Sequence, residues 1–225
     1  MNKVITSLLI MTAIACSSCG QGNNQIRPGN PGAASRILSR KIIVSDGCDG
    51  CDLMYQGMPS PSKLSWGAQI AGANEPGERM EISGKIYRRD GKTPAEGIVL
   101  YVYHTNAGGY YAPSDTQTMA KRHGHLRGWI ITNNKGEYKF TTIRPGQYPN
   151  AAIPAHIHPV VKEPDKIEYY IDEFVFDNDL KLTQEKKNKS ENRGGSGIIR
   201  LIKNETGEWV GHRDIILGLN IPNYK

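Results

Sequence analysis

The chain has 225 residues, 38% hydrophobic and 22% charged, which suits one sizeable domain with a real core and excludes wholesale disorder. Its 25 Gly and 13 Pro, with Val, Ile, Tyr and Thr in short runs, read as strands and turns rather than long helices. The formal charge of +6 fits scattered solubilising lysines, and no Lys/Arg stripe with interleaved aromatics is present, so no nucleic-acid partner is expected.

Residues 1–15, MNKVITSLLIMTAIA, place Lys3 ahead of an apolar run too short to span a bilayer, which predicts a secretory signal peptide. The end Ala13-Ile14-Ala15-Cys16 resembles a bacterial lipobox, with Cys16 lipidated after cleavage. Cys19 is the alternative lipidation position, and plain secretion the alternative fate. Ser, Gly, Asn, Gln and Pro fill 17–35, so residues 16–40 read as a flexible tether. The expected location is the bacterial cell envelope, with membrane contact only through that N-terminal lipid.

Residues 41–77 read as an irregular N-terminal arm containing Cys48-Asp49-Gly50-Cys51. Beyond the inner membrane the compartment is oxidising, so this spacing predicts a small-loop disulfide between Cys48 and Cys51. Zinc and redox roles are the competing readings. Strands begin near Arg79: alternating or β-branched runs cover 80–88, 97–105, 128–133, 137–143, 155–161, 168–176, 196–202 and 208–217. Residues 133–136, Asn-Asn-Lys-Gly, carry a hairpin signal, and 204–207, Asn-Glu-Thr-Gly, another turn. Short strands at this spacing predict an all-β domain over 78–225, an antiparallel β-sandwich. Residues 180–197, charged and then Gly-rich, predict a surface loop at the rim of the site.

The chemistry concentrates between 104 and 159. In His156-Ile157-His158 the strand period of two turns both imidazoles to one face, close enough to grip one metal ion. Pro154 and Pro159 bracket the pair, which predicts a short or edge strand, or the place where a strand meets a loop. Imidazole alone suits zinc, copper, iron or nickel. Tyr148 lies in a Pro-Gly-Gln-Tyr-Pro turn, and Tyr110-Tyr111 follow an Asn-Ala-Gly-Gly bend. A phenolate is a hard donor with an unperturbed pKa of about 10, so it favours a hard, highly charged ion such as Fe(III). Adjacent tyrosines in extended chain point opposite ways, so only one of Tyr110 and Tyr111 can face a metal.

The order Asn-Ala-x-Gly-x-Tyr (106–111), Leu-Arg-Gly (126–128), Gly-x-Tyr-x-Phe-x-Thr-Ile-x-Pro-Gly-x-Tyr-Pro (136–149) and Pro-Ala-His-Ile-His (154–158) resembles the intradiol ring-cleavage dioxygenases. The resemblance covers roughly 78–180. It implies a β-sandwich catalytic core, a non-haem Fe(III) cofactor, and catecholic substrate and O2 as partners. The implied reaction cleaves the ring between its two hydroxylated carbons and gives a muconate-type diacid. Carried over residue by residue, Tyr111 matches the tyrosine that stays bound and Tyr148 the one that leaves when substrate chelates. His156 and His158 match the two histidine ligands. Tyr110 is left as a pocket wall, and Arg127 serves strand entry and packing or lends charge near the site.

Two positions depart from the family pattern. Ile153 stands where an arginine usually supports charge developing on the substrate, and Glu173 where a glutamine is often found. His104, His123, His125 and His212 are expected to be surface or hydrogen-bonded residues rather than ligands. Two rival classes compete: a non-catalytic exported β-sandwich lipoprotein binding glycan, protein or metal, and a zinc hydrolase built on His156 and His158.

Overall fold

The computed structural model describes residues 44, 48–113 and 122–225. The expected signal peptide at 1–15, the expected lipidation position Cys16 with its alternative Cys19, and the expected tether at 16–40 lie outside the described residues. Among the described residues, strands β1 (Gly67–Gln69), β2 (Arg79–Tyr87), β3 (Val99–Tyr103), β4 (Arg127–Ile131), β5 (Glu137–Ile143) and β6 (His156–Lys162) come first in the chain. Then follow β7 (Tyr169–Tyr170), β8 (Phe174–Phe176), β9 (Ile198–Ile199), β10 (Ile202–Lys203), β11 (Trp209–His212) and β12 (Ile215–Ile216).

They form two six-stranded sheets. The first runs β1-β5-β2-β11-β10 with β12 also on β2, and the second β4-β3-β6-β8-β9 with β7 also on β6. Alternation explains how they pack. Met80, Ile82 and Ile86 of β2 and Tyr138 and Phe140 of β5 meet Leu100, Val102, Ile130, Ile157 and Val161 of the second sheet in one buried core. This is the predicted all-β sandwich.

The pairings among the longest strands, β2–β5, β3–β4 and β3–β6, are antiparallel. Short strands add parallel pairs at β1–β5, β2–β11, β2–β12 and β8–β9, which an antiparallel expectation does not contain. Parallel partners need connections longer than a tight turn, and segments distant in sequence supply them here.

The hairpin expected at 133–136 is corrected. The turn forms, with Asn133 Oδ1 accepting from the amides of Lys135 and Glu137 at 2.9 Å each. Its flanking strands, β4 and β5, belong to opposite sheets. Both bury one alternating face in the same core, so an arch across the sandwich serves them better than a flat hairpin. The turn at 204–207 does join an antiparallel pair, β10 and β11.

Three long expected strands are each broken in two. At 171–173 the break follows from Asp172, whose carbonyl accepts from Arg213 Nη1 at 2.7 Å and whose amide donates to Arg193 O at 3.1 Å. The loop expected at 180–197 contains a short helix, α1 (Gln184–Asn188), whose first turn is capped by Thr183.

The described part of the arm is irregular except at β1, which lies within 41–77 and joins the first sheet through β5. Two 3-10 helices, Cys51–Tyr55 and Pro61–Lys63, precede β1, and Cys48 and Cys51 are joined by a disulfide with Cα atoms 5.4 Å apart. Cys51 and Met54 pack on Val99, Tyr101 and Val160, on the face of the second sheet turned away from the sandwich core. Trp129 Nε1 donates to Met54 O at 2.7 Å, which ties the arm to β4.

Candidate metal centre

His156 and His158 open β6 on that outer face, while Ile157 between them is fully buried in the core. The period-two argument therefore holds in space. The edge-strand alternative is corrected, because β6 lies inside its sheet with β3 on one side and β7 and β8 on the other. Pro159 is tolerated there because the outer pairing changes strands at that level. Ile157 pairs with Phe174 of β8, and Val160 with Tyr170 of β7.

The two tyrosines come from irregular loops pressed backbone to backbone. Gly146 N donates to Asn106 O at 2.9 Å, and Thr105 Oγ1 donates to Gly146 O at 2.8 Å. A Cβ on Gly109 would sit 2.0 Å from Gln147 O, and one on Gly146 would sit 2.3 Å from Ala107 O. The glycines of the Asn-Ala-Gly-Gly and Pro-Gly-Gln-Tyr stretches are thus there to let the Tyr111 and Tyr148 loops touch.

Four donor atoms then converge. Tyr111 Oη lies 2.5 Å from Tyr148 Oη, which lies 3.2 Å from His156 Nε2 and 3.3 Å from His158 Nε2. The two Nε2 atoms are 3.0 Å apart. Ligands about 2 Å from one ion have mutual separations of this order. The tautomers agree. His156 Nδ1 donates to Pro154 O at 2.8 Å, so its Nε2 presents a lone pair to the centre.

Burial, and then the neighbouring His156, push the His158 imidazole down to about 3, so that ring is neutral. Burial also raises Tyr111 and Tyr148, which makes a strong Lewis acid the natural means of deprotonating them. The donor set, two imidazoles and two phenols, fits a hard trivalent ion. A zinc hydrolase centre needs a third His, Cys or carboxylate, and among the described residues no group of three such side chains gathers.

The surroundings sort the remaining expectations. Glu173 Oε1 is 3.8 Å from His158 Nδ1, placing a carboxylate behind that ring. Ile153, 46% exposed, lines a cavity of about 380 Å³ beside His156 that also includes Glu173, Val175 and residues of α1. Helix α1 therefore does reach the rim of the site. A second cavity of about 360 Å³ is bounded by the disulfide, Tyr103, His158 and Glu173. Tyr110 is 61% exposed and lines neither cavity, so the pocket-wall reading is corrected. The adjacent tyrosine does point away, as the extended-chain argument requires. Arg127 is buried near Trp129, with its guanidinium 5.6 Å from that ring, and its charge acts on Tyr101 and His123.

Sequence reasoning missed the support beneath His158. Tyr103, its partner in the β3–β6 register, stacks on it at 4.6 Å, and His123 stacks on Tyr103 at 3.6 Å. His123 Nδ1 and Tyr101 Oη share a hydrogen bond at 2.9 Å, and burial holds this imidazole down to about 4. The two-residue spacing of His123 and His125 was visible, but nothing local placed their rings. His104 is buried between Thr105 O and Thr142 Oγ1, whereas His212 is exposed and paired with Asp214.

One β-sandwich brings two histidines and two tyrosines together, a donor set that fits a metal ion. A family model described as "Dioxygenase" matches residues 60–194, more than half of the chain and wider than the motifs alone indicate. The chain belongs to the intradiol ring-cleavage dioxygenase family.

Among its relatives is the protocatechuate 3,4-dioxygenase beta chain of Burkholderia cepacia, 35% identical over 89 residues, covering 36% of this chain and 37% of that one. The chlorocatechol 1,2-dioxygenase of Rhodococcus opacus is 33% identical over 106 residues, covering 38% and 39%. The match thus spans well under half the length of these relatives. Among solved structures, the dioxygenase domain of a dioxygenase carbohydrate-binding protein fusion from Streptomyces sp. SirexAA-E superposes with a TM-score of 0.54 at 20% identity. That superposition covers 66% of this chain and 85% of that one. The 3-chlorocatechol 1,2-dioxygenase of Rhodococcus opacus gives 0.52 at 18% identity, covering 68% and 65%. These two share the fold.

Proposed function

We propose that the protein cleaves the ring of a catecholic compound between its two hydroxylated carbons, using O2 and a non-haem Fe(III) ion held by Tyr111, Tyr148, His156 and His158. The observation that carries this is the convergence on Tyr148 Oη, which lies 2.5 Å from Tyr111 Oη and 3.2 and 3.3 Å from the Nε2 atoms of His156 and His158, themselves 3.0 Å apart. Bound Fe(III) supplies Lewis acidity toward both catechol oxygens and the charge transfer that opens a ring carbon to O2. The product on this reading is a muconate-type diacid, and the chain works in the cell envelope on the Cys16 anchor.

Each residue has a task. Tyr148 Oη contacts Tyr111 and both histidines, so its phenolate is placed to take a proton from a catechol hydroxyl and then withdraw. Tyr111 stays. Pro154 O fixes the His156 ring, and Tyr103 fixes the His158 ring by stacking on it. Ile153, Val175 and Leu182 give the adjoining cavity apolar walls that suit an aromatic ring, beside the charged Glu173, Lys186 and Lys187.

Oxygen uptake by iron-loaded protein over a panel of catechols tests the reading. One O2 consumed per catechol, with a ring-opened diacid formed, is the expected result. No uptake with any catechol would return the chain to a binding role. The wall position Ile153 offers a second check. Placing a cation there should stabilise negative charge developing on the substrate, so Ile153→Arg is expected to raise kcat by about tenfold. Unchanged turnover in a folded, iron-loaded variant would count against that role for the position.

A further inference from the structure

The backbone of Tyr111 is held one residue away on each side. Before it, Asn106 N donates to Tyr110 O at 2.9 Å. After it, Ala112 O accepts twice from a single residue: from His125 N at 2.9 Å and from His125 Nδ1 at 2.8 Å. The other ring nitrogen, Nε2, donates to Glu75 Oε2 at 2.9 Å. A carbonyl and a carboxylate only accept, so both ring nitrogens carry hydrogen and the ring is an imidazolium paired with Glu75. Both side chains are mostly shielded, at 27% and 17% exposure, which strengthens a bond that surface pairs largely lose to water. Gly124 completes the strap: a Cβ there would lie 3.3 Å from Tyr111 Cα, so the chain preceding His125 rests directly on the tyrosine backbone.

We propose that His125, anchored by Glu75, is the positioning residue for Tyr111, fixing the backbone from which that phenol reaches the metal centre. The inference rests on the reading of Tyr111 as a ligand. His125 touches neither substrate nor metal. Its work is to keep the Ala112 carbonyl, and so the Tyr111 Cα, at one distance from β6. Tyr148, on the other loop, gains nothing from it directly.

The test uses the full chain with fluorotyrosine placed singly at 111 or at 148, read by fluorine NMR without metal. His125→Ala is expected to broaden the 111 resonance and move it toward that of exposed tyrosine, leaving the 148 resonance nearly in place. Glu75→Gln should do the same to a smaller extent, and His125→Gln, which keeps one N–H for Ala112 O, should restore much of the signal. Iron(III) affinity should fall about tenfold to hundredfold in His125→Ala, the range for partners that orient a ligand.

A 111 resonance unmoved in folded variants overturns the proposal, as does an equal shift at 111 and 148. Should His125→Ala not fold, Glu75→Gln decides by the same two resonances. Absence of iron binding in the unsubstituted protein would overturn the functional reading instead, while the metal-free resonances still decide whether His125 positions Tyr111.

Discussion

His158→Ala is expected to lower iron(III) affinity by more than about 100-fold and abolish oxygen uptake, with the fold intact. Even partners that merely orient a ligand cost 10–100-fold, so loss of a ligand should exceed about that. The fold should survive because His158 lies on the outer face of β6, whereas the core takes Ile157 and Val161 from the opposite face. Ile157→Ala is the control. It opens a cavity at a fully buried position and should cost about 2–5 kcal/mol, while iron binding persists wherever the protein remains folded. A chelator-competition titration alongside urea unfolding separates the two. Iron bound with unchanged affinity by His158→Ala would remove that residue from the centre.

Gly146→Ala should be nearly as damaging to activity without removing any functional side chain. The added Cβ would lie 2.3 Å from Ala107 O and 2.6 Å from Gly109 N, so the Tyr111 and Tyr148 loops must separate. The 2.5 Å contact between the two phenols goes with them. A misplacement of about 1 Å can cost about 100-fold in rate, and overpacking of this kind costs about 1–3 kcal/mol in stability. Steady-state oxygen uptake and thermal melting measure the two effects. A variant as active as the unsubstituted protein would show that the loop contact does not set the tyrosine geometry.

What could be read from the sequence was whatever depends on local spacing. The period of two put His156 and His158 on one face, and the Gly-containing turns marked the tyrosine loops. The sandwich followed from alternation. What could not be read depends on which distant segments meet. Asn133-Asn134-Lys135-Gly136 specifies a tight turn but not whether its flanking strands share a sheet, and here they do not. The strand expected at 168–176 is broken at Asp172 by bonds to Arg193 and Arg213, residues from elsewhere in the chain. Glu75 carries no local signal at all. Its partner lies 50 residues away and acquires meaning only when the loops close around Tyr111.

The central claim is a tyrosinate-bearing ferric centre, and visible absorption tests it most directly. Iron-loaded protein should show a broad phenolate-to-Fe(III) charge-transfer band, diminished in Tyr111→Phe and shifted to the red by catechol added without oxygen. A folded protein with iron in excess and no such band would contradict the account.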